Sequence, residues 1–179
     1  KPGEMGYAKD GSLYFRWPKG CKPGKAIGAD RGRFKPIILP AKNGVNGVSI
    51  ACSDITIRNL TVKYAGNDGF NIHGHRRGIR LEKVRALSCA DEGISAHETT
   101  EMEVLDSEIA WNGSISGGVT DVNDAVTSYH NCIVHDNAGA AFSFTGKAHR
   151  VYDSLIYNQE RAFYVHKEVD FKEERNKIK

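Results

Sequence analysis

The sequence predicts an all-β chain whose short strands return again and again to one register, a parallel solenoid of about five coils behind a short N-terminal lead-in. Three observations predict it. Composition is the first: 40% of residues are apolar and 19 are glycine. Val, Ile, Thr, Tyr and Phe gather in short segments between turn residues, and no long segment carries the 3.6-residue apolar period of a helix. The second is a motif that occurs twice, 24 residues apart, as Asn67-Asp68-Gly69-Phe70-Asn71-Ile72-His73 and Asp91-Glu92-Gly93-Ile94-Ser95-Ala96-His97. The third is a longer register that contains this motif and runs through most of the chain.

The register begins near Val48. Ile55 to Val62 aligns without a gap on Ile79 to Ala86, on Met102 to Ile109, on Thr127 to Val134 and on His149 to Ile156. One turn position recurs as Asn59, Lys83, Asp106, Asn131 and Asp153, at steps of 24, 23, 25 and 22 residues. A coil that must stack on the last at a strand spacing of about 4.8 Å needs such a return interval. Stacked Asn or Asp side chains are expected to satisfy the backbone amides of a tight bend and to tolerate left-handed φ, a ladder that Lys83 breaks. Two interior columns follow from the alignment: Val62, Ala86, Ile109, Val134 and Ile156, and Phe70, Ile94, Phe142 and Phe163. An antiparallel sandwich also has short strands, but five units in one register favour the solenoid.

Outside the repeat, residues 1–46 read as a lead-in with one or two strands, Ser12 to Trp17 closed by Pro18 and Ile37 to Leu39 before Pro40. Tyr14 and Trp17 fit a core role better than sugar stacking. The solenoid spans 47–166, and 167–179 is a charged tail, expected as a short helix or as disorder. The opening at Lys1 rather than Met is what a processed or truncated chain would show, so no leader reports the compartment. Residues 112–124 carry extra residues, an insertion expected to form a loop on the binding face.

Charge and cysteine content exclude several classes. Residues 1–42 hold ten Lys/Arg against three Asp/Glu, while residues 43–166 hold ten against fifteen. A basic opening on an acidic body is not the footprint of a nucleic-acid binder. No apolar run of 18 residues exists, so no membrane span is expected. Cys21, Cys52, Cys89 and Cys132 lack CxxC spacing and read as buried free thiols.

With Phe70 and Ile72 pointing inward, Asn71 and His73 point outward, and Ser95 and His97 do so one coil on. His73 and His97 then stack about one strand spacing apart, with Thr145 and His166 further along the column. An outward histidine ladder supplies proton-transfer groups near neutral pH. His75, Arg76 and Arg77 adjoin it, placed to bind a carboxylate or sulfate. Asp68 stacks near Glu92, with Asp91 beside it and Asp121 and Asp124 in the insertion. Such carboxylates cap turns, bind Ca²⁺ through Asp68, Asp91 and Glu92, or share a proton as an acid/base pair. The later strand charges, including Glu98, read as solvated.

The motifs ITIRNLTV, GNDGFNIHG and DEGISAHE resemble those of the right-handed parallel β-helix repeat family, the pectate-lyase-like superfold, over about 47–166. The resemblance implies a carbohydrate-active protein, most often a polysaccharide lyase, a glycoside hydrolase or a uronan epimerase. Such proteins act on an acidic polysaccharide or oligosaccharide in a groove along one sheet, with possible Ca²⁺ dependence, in an extracellular or periplasmic setting. No family motif carries catalytic roles over; the histidine ladder and the acidic turn nominate His73, His97, Asp68 and Glu92 for catalysis, and Asn71, His75, Arg76, Arg77, Asp121 and Asp124 for substrate binding. The alternatives are a non-catalytic glycan-binding or adhesion module, and a fragment whose catalytic coils lie elsewhere.

Overall fold

The computed structural model describes residues 5–7, 13–15 and 44–179. The chain divides into two compact units, Lys1–Ile38 and Leu39–Lys179. In the first, β1 (Met5–Tyr7) and β2 (Leu13–Phe15) pair antiparallel. The expected strand Ser12 to Trp17 is thus present at its centre, whereas Ile37 to Leu39 lies outside the described residues.

The second unit is a parallel β-solenoid of three six-stranded sheets. Chain order runs β3 (Val48–Ile50), β4 (Thr56–Arg58), β5 (Thr61–Lys63), β6 (Phe70–Ile72), β7 (Ile79–Glu82), β8 (Arg85–Leu87), β9 (Ile94–Ala96), β10 (Glu101–Leu105) and β11 (Glu108–Ala110). It continues with β12 (Gly117–Asp121), β13 (Val126–His130), β14 (Ile133–His135), β15 (Ala140–Phe144), β16 (Ala148–Tyr152), β17 (Leu155–Tyr157), β18 (Phe163–Val165), β19 (Asp170–Glu174) and β20 (Lys177–Ile178). Sheet I stacks β4, β7, β10, β13, β16 and β19; sheet II stacks β5, β8, β11, β14, β17 and β20; sheet III stacks β3, β6, β9, β12, β15 and β18. Every pairing predicted from the register is found: Ile57 opposes Leu81, Met102 opposes Ile79 and Thr127, and Thr127 opposes His149.

Like stacks on like in the interior. Val62, Ala86, Ile109, Val134 and Ile156 form one column, and Val119 completes the other between Ile94 and Phe142. Leu81, Val104 and Ile109 are wholly buried, each stabilising the fold by about 1.5–3 kcal/mol. Two expectations are corrected. The charged tail is neither helix nor disorder: β19 and β20 pair with β16 and β17 and extend a further coil, since alternation of Phe171 and Ile178 with charges suits a terminal strand. Cys89 and Cys132 are buried as expected, but Cys52 is exposed.

Bends decide the coil shape. Asn59, Lys83, Asp106, Asn131 and Asp153 all adopt left-handed φ of 51–56° at the bend from sheet I to sheet II. Their side chains do not hold the bend amides, however. That task falls one residue later, one coil on: Ser107 Oγ accepts from Val84 N–H (3.1 Å), Ser154 Oγ from Cys132 N–H (3.1 Å) and Asn176 Oδ1 from Ser154 N–H (2.9 Å). The bend from sheet II to sheet III has its own ladder. Asn112 Oδ1 accepts from Cys89 N–H (3.0 Å), Asn137 Oδ1 accepts from Asn112 N–H (3.0 Å), and the Asn112 amide donates to Ala86 O (3.1 Å). Gly69 and Gly93 close this bend because a Cβ on Gly69 would lie 2.6 Å from Gly93 O, and one on Gly93 2.5 Å from Ile109 Cγ2.

One interior stretch is polar. Asp121, placed by sequence in an exposed insertion, ends β12 and is fully buried, because the extra residues occupy only the turn before Gly117. Its carboxylate accepts from Thr127 Oγ1 (2.7 Å), Tyr129 OH (2.8 Å) and Ala96 N–H (3.1 Å). Because Thr127 donates its proton to Asp121, it accepts from His149 Nδ1–H (2.7 Å), which leaves buried His149 Nε2 without a partner among the described residues.

Burial raises the Asp121 carboxyl to about 7 against those three hydrogen bonds. Its contribution to stability is therefore full below about pH 4 and is lost as pH rises through 7. Burial, with Arg150 adding, lowers His149 to about 4, a contribution that is full above about pH 6.5 and lost as pH falls through 4. The two oppose each other between pH 4 and 6.5.

Two stability predictions follow from these contacts. Asn112→Ala, which strands Cys89 N–H and Ala86 O, lowers unfolding free energy by about 2–4 kcal/mol in urea titration, whereas Lys83→Asn raises it by about 0.5 kcal/mol. Relative to the parent, Asp121→Asn makes stability climb from pH 4 to 6.5 and His149→Gln makes it fall, each by about 3 kcal/mol over that range.

Candidate functional site

Strands β6 and β9 carry the motif that occurs twice, each running from the bend that holds Asp68 or Glu92 to the bend that holds His73 or His97. The histidines stack as expected, ring centroids 4.0 Å apart and planes 16° from parallel. Val122 follows His97 in the column, before Thr145 and His166. His97 Nε2 meets Ser95 Oγ at 2.7 Å and His73 Nδ1 meets Glu98 Oε2 at 3.2 Å. Burial, then the neighbouring His73, holds His97 below the usual imidazole range, while Glu98 and Asp68 pull the other way. His97 is thus a neutral base near pH 7 within the field of Asp68.

Glu98 corrects its reading as a solvated strand charge. It sits at left-handed φ in the bend from sheet III to sheet I, and its Oε2 accepts from Gly74 N–H at 2.6 Å. That bond first, and His73 after it, hold its carboxyl below the ordinary value. The signal lay in the register: Glu98 stands one coil from Gly74 and next to a histidine. Ser95 is the second group whose role sequence left unassigned, although its outward direction was legible.

At the other end of the strands, Asp68 is 2% exposed and its Oδ2 accepts from Asn71 Nδ2 at 2.5 Å. Asn71 is itself buried, which corrects its placement on an open substrate face. Among the described residues, Asp68 Oδ1 has no hydrogen-bond donor. Asp68, Asp91 and Glu92 each offer an oxygen within 4.8 Å of the others. Burial first, and the charges of Asp68 and Asp91 after it, raise Glu92 to about 7, although Ser114 Oγ–H donates to it at 2.7 Å. A protonated Glu92 is placed to donate its O–H to Asp68. The donor set also fits Ca²⁺ by chemistry, since two oxygens on one such ion stand no more than about 5 Å apart.

The basic cluster is only partly assembled. Arg76 is half-buried and folds back to donate from Nε to His73 O at 3.0 Å. Arg77 is exposed, and among the described residues its guanidinium has no carboxylate partner. His75 Nδ1 meets Thr99 Oγ1 at 2.8 Å. Asp124 is exposed in the next bend, with its N–H donating to Glu98 O at 2.9 Å. Asp121 alone faces the interior, out of reach of any polymer.

A family model described as the right-handed beta helix region matches residues 41–179. Comparison with curated proteins and with solved structures found no match. Matched over most of its length, and with three stacked parallel sheets, this chain belongs to the right-handed β-helix family.

Proposed function

We propose that this protein is a carbohydrate-active enzyme that cleaves an acidic polysaccharide by elimination on the outer face of sheet III. The observation that carries the reading is the stacked His73–His97 pair at one end of strands whose other end gathers the carboxyls of Asp68, Asp91 and Glu92. Elimination beside a uronate needs a base for the carbon-bound proton, a cation for the carboxylate and an acid for the departing oxygen. His97 takes the proton as the carbon–oxygen bond breaks and a carbon–carbon double bond forms. The imidazolium of His97 then returns that proton to the leaving oxygen, neutral Glu92 lets the acidic end of the strands admit a polyanion, and Arg77 and Arg76 face the carboxylate. Hydrolysis is disfavoured because a retaining pair needs an accessible nucleophile about 5–5.5 Å from the acid, whereas Asp68 is 2% exposed.

One observation favours a second, non-catalytic reading: Asp68, Asn71 and Ser95 are all nearly buried, as capping residues are. Turnover separates the two. Incubated with polygalacturonate, alginate and a glycosaminoglycan uronan, the protein should release product with the ultraviolet absorbance of an unsaturated uronate. His97→Ala should lower kcat by about 10²–10⁴-fold. The alkaline limb of the profile should lie near pH 7, because activity needs protonated Glu92, and Glu92→Gln should remove it. Reducing ends without unsaturated product would replace elimination by hydrolysis; no turnover on any uronan would leave the glycan-binding reading.

Ca²⁺ is tested apart from turnover. If Asp68, Asp91 and Glu92 hold the ion, millimolar Ca²⁺ raises Tm in the parent and not in Asp91→Asn. An unchanged Tm leaves holding the proton on Glu92 as the role of the cluster.

A further inference from the structure

The bend from sheet II to sheet III opens on a column of residues that share left-handed φ: Tyr64, Ser88, Trp111, Asp136 and Asn158, at 49–59°. Ser, Asp and Asn suit this conformation, because a short polar side chain tolerates it. Tyr64 and Trp111 do not, and burial does not explain them, since both are 50% exposed. Bulky residues held against backbone preference without a core to fill point from a structural outlier to a function.

The two rings are placed in register. Tyr64 N–H donates to Leu87 O (3.2 Å) and Ser88 N–H to Ala110 O (3.0 Å), so Tyr64, Ser88 and Trp111 occupy three successive coils. Tyr64 and Trp111 therefore stand two coils, roughly 10 Å, apart along the solenoid, with a small serine between them. Trp111 is also braced. Its ring meets His135 edge-on, centroids 4.9 Å apart, and His135 stacks on Tyr157 at 4.5 Å and 6°. The nearly buried His135 is pinned at both ring nitrogens, to Asp136 Oδ2 (2.6 Å) and Glu108 Oε1 (3.2 Å). Arg85 Nε holds Glu108 in turn at 2.6 Å.

We infer that Tyr64 and Trp111 form a second glycan-binding row, a pair of aromatic platforms that takes the apolar C–H faces of a pyranoside chain laid along the coils. Single rings separated by a hydroxyl and rimmed by Asp136 and Asn158 match a polymer that alternates apolar ring faces with hydroxyls. A protein partner would call for a contiguous apolar patch, and a nucleic acid for basic residues beside the rings rather than Glu108 and Asp136. The row borders the bend that ends at Glu92 but uses none of the groups assigned to elimination, and so it stands whether or not that chemistry occurs.

The test is a binding titration with cellohexaose, chitohexaose and hexagalacturonate, read by tryptophan fluorescence in a Trp17→Phe background and by calorimetry. At least one hexasaccharide should give saturable binding that His73→Ala leaves unchanged. Trp111→Asn and Tyr64→Asn should each weaken it by about tenfold or more, since each removes one stacking ring. Both variants should also melt no lower than the parent, because Asn is the better residue at this φ. Binding unaffected by the two substitutions, no binding of any of the three chains, or a marked drop in Tm for Trp111→Asn would overturn the proposal. So would a preference for single-stranded nucleic acid or anionic vesicles.

Discussion

Parallel stacking of each coil on the last, at the spacing of hydrogen-bonded strands, is the constraint on which everything else in this structure depends. It obliges each residue to sit over its counterpart about 23 residues earlier, and so the core is made of columns rather than of interlocking layers. Phe142 lies over Phe163, and Ile109 lies between Ala86 and Val134. It also obliges the chain to turn in very few residues, which it does by placing one residue at left-handed φ in each bend from sheet I to sheet II and from sheet II to sheet III. The buried amides that such bends expose must then be met by side chains from the next coil, and Ser107, Ser154, Asn112, Asn137 and Asn176 meet them.

The same stacking makes chemistry out of repetition. A residue type that recurs at one position becomes a pair of neighbouring groups, and neighbouring ionisable groups perturb each other. His73 over His97 gives two imidazoles in contact, and His73 adds to burial in holding His97 below the usual imidazole range. Asp68 near Glu92 and Asp91 gives three carboxyls with oxygens within 4.8 Å of one another, and the neighbouring charges add to burial in raising Glu92. The interior shows the limiting case, where Asp121 and His149 are both buried and both neutral near pH 5 to 6.

Sequence reading recovered the register, the columns and the histidine stack because a parallel solenoid converts sequence interval directly into spatial contact. Its failures have equally physical causes. Asp121 was misplaced because alternation alone does not tell whether extra residues fall before or within a strand. The bend ladder was assigned one residue too early, since the residue at left-handed φ is conspicuous in composition while the hydrogen-bonding serine after it is not. Glu98 looked like surface charge because its partner, Gly74 N–H, lies a coil away. The terminal coil was hidden by its charge, which in a last coil faces solvent instead of another strand.

The central claim is that burial, with Asp68 beside it, keeps a proton on Glu92 near neutral pH. A carboxyl ¹³C NMR titration of Glu92 tests this most directly. The account predicts a midpoint near pH 7 in the parent and a lower one in Asp68→Asn, where the like charge is gone but burial still holds Glu92 above the ordinary glutamate range. A parent midpoint already in the ordinary range would contradict it.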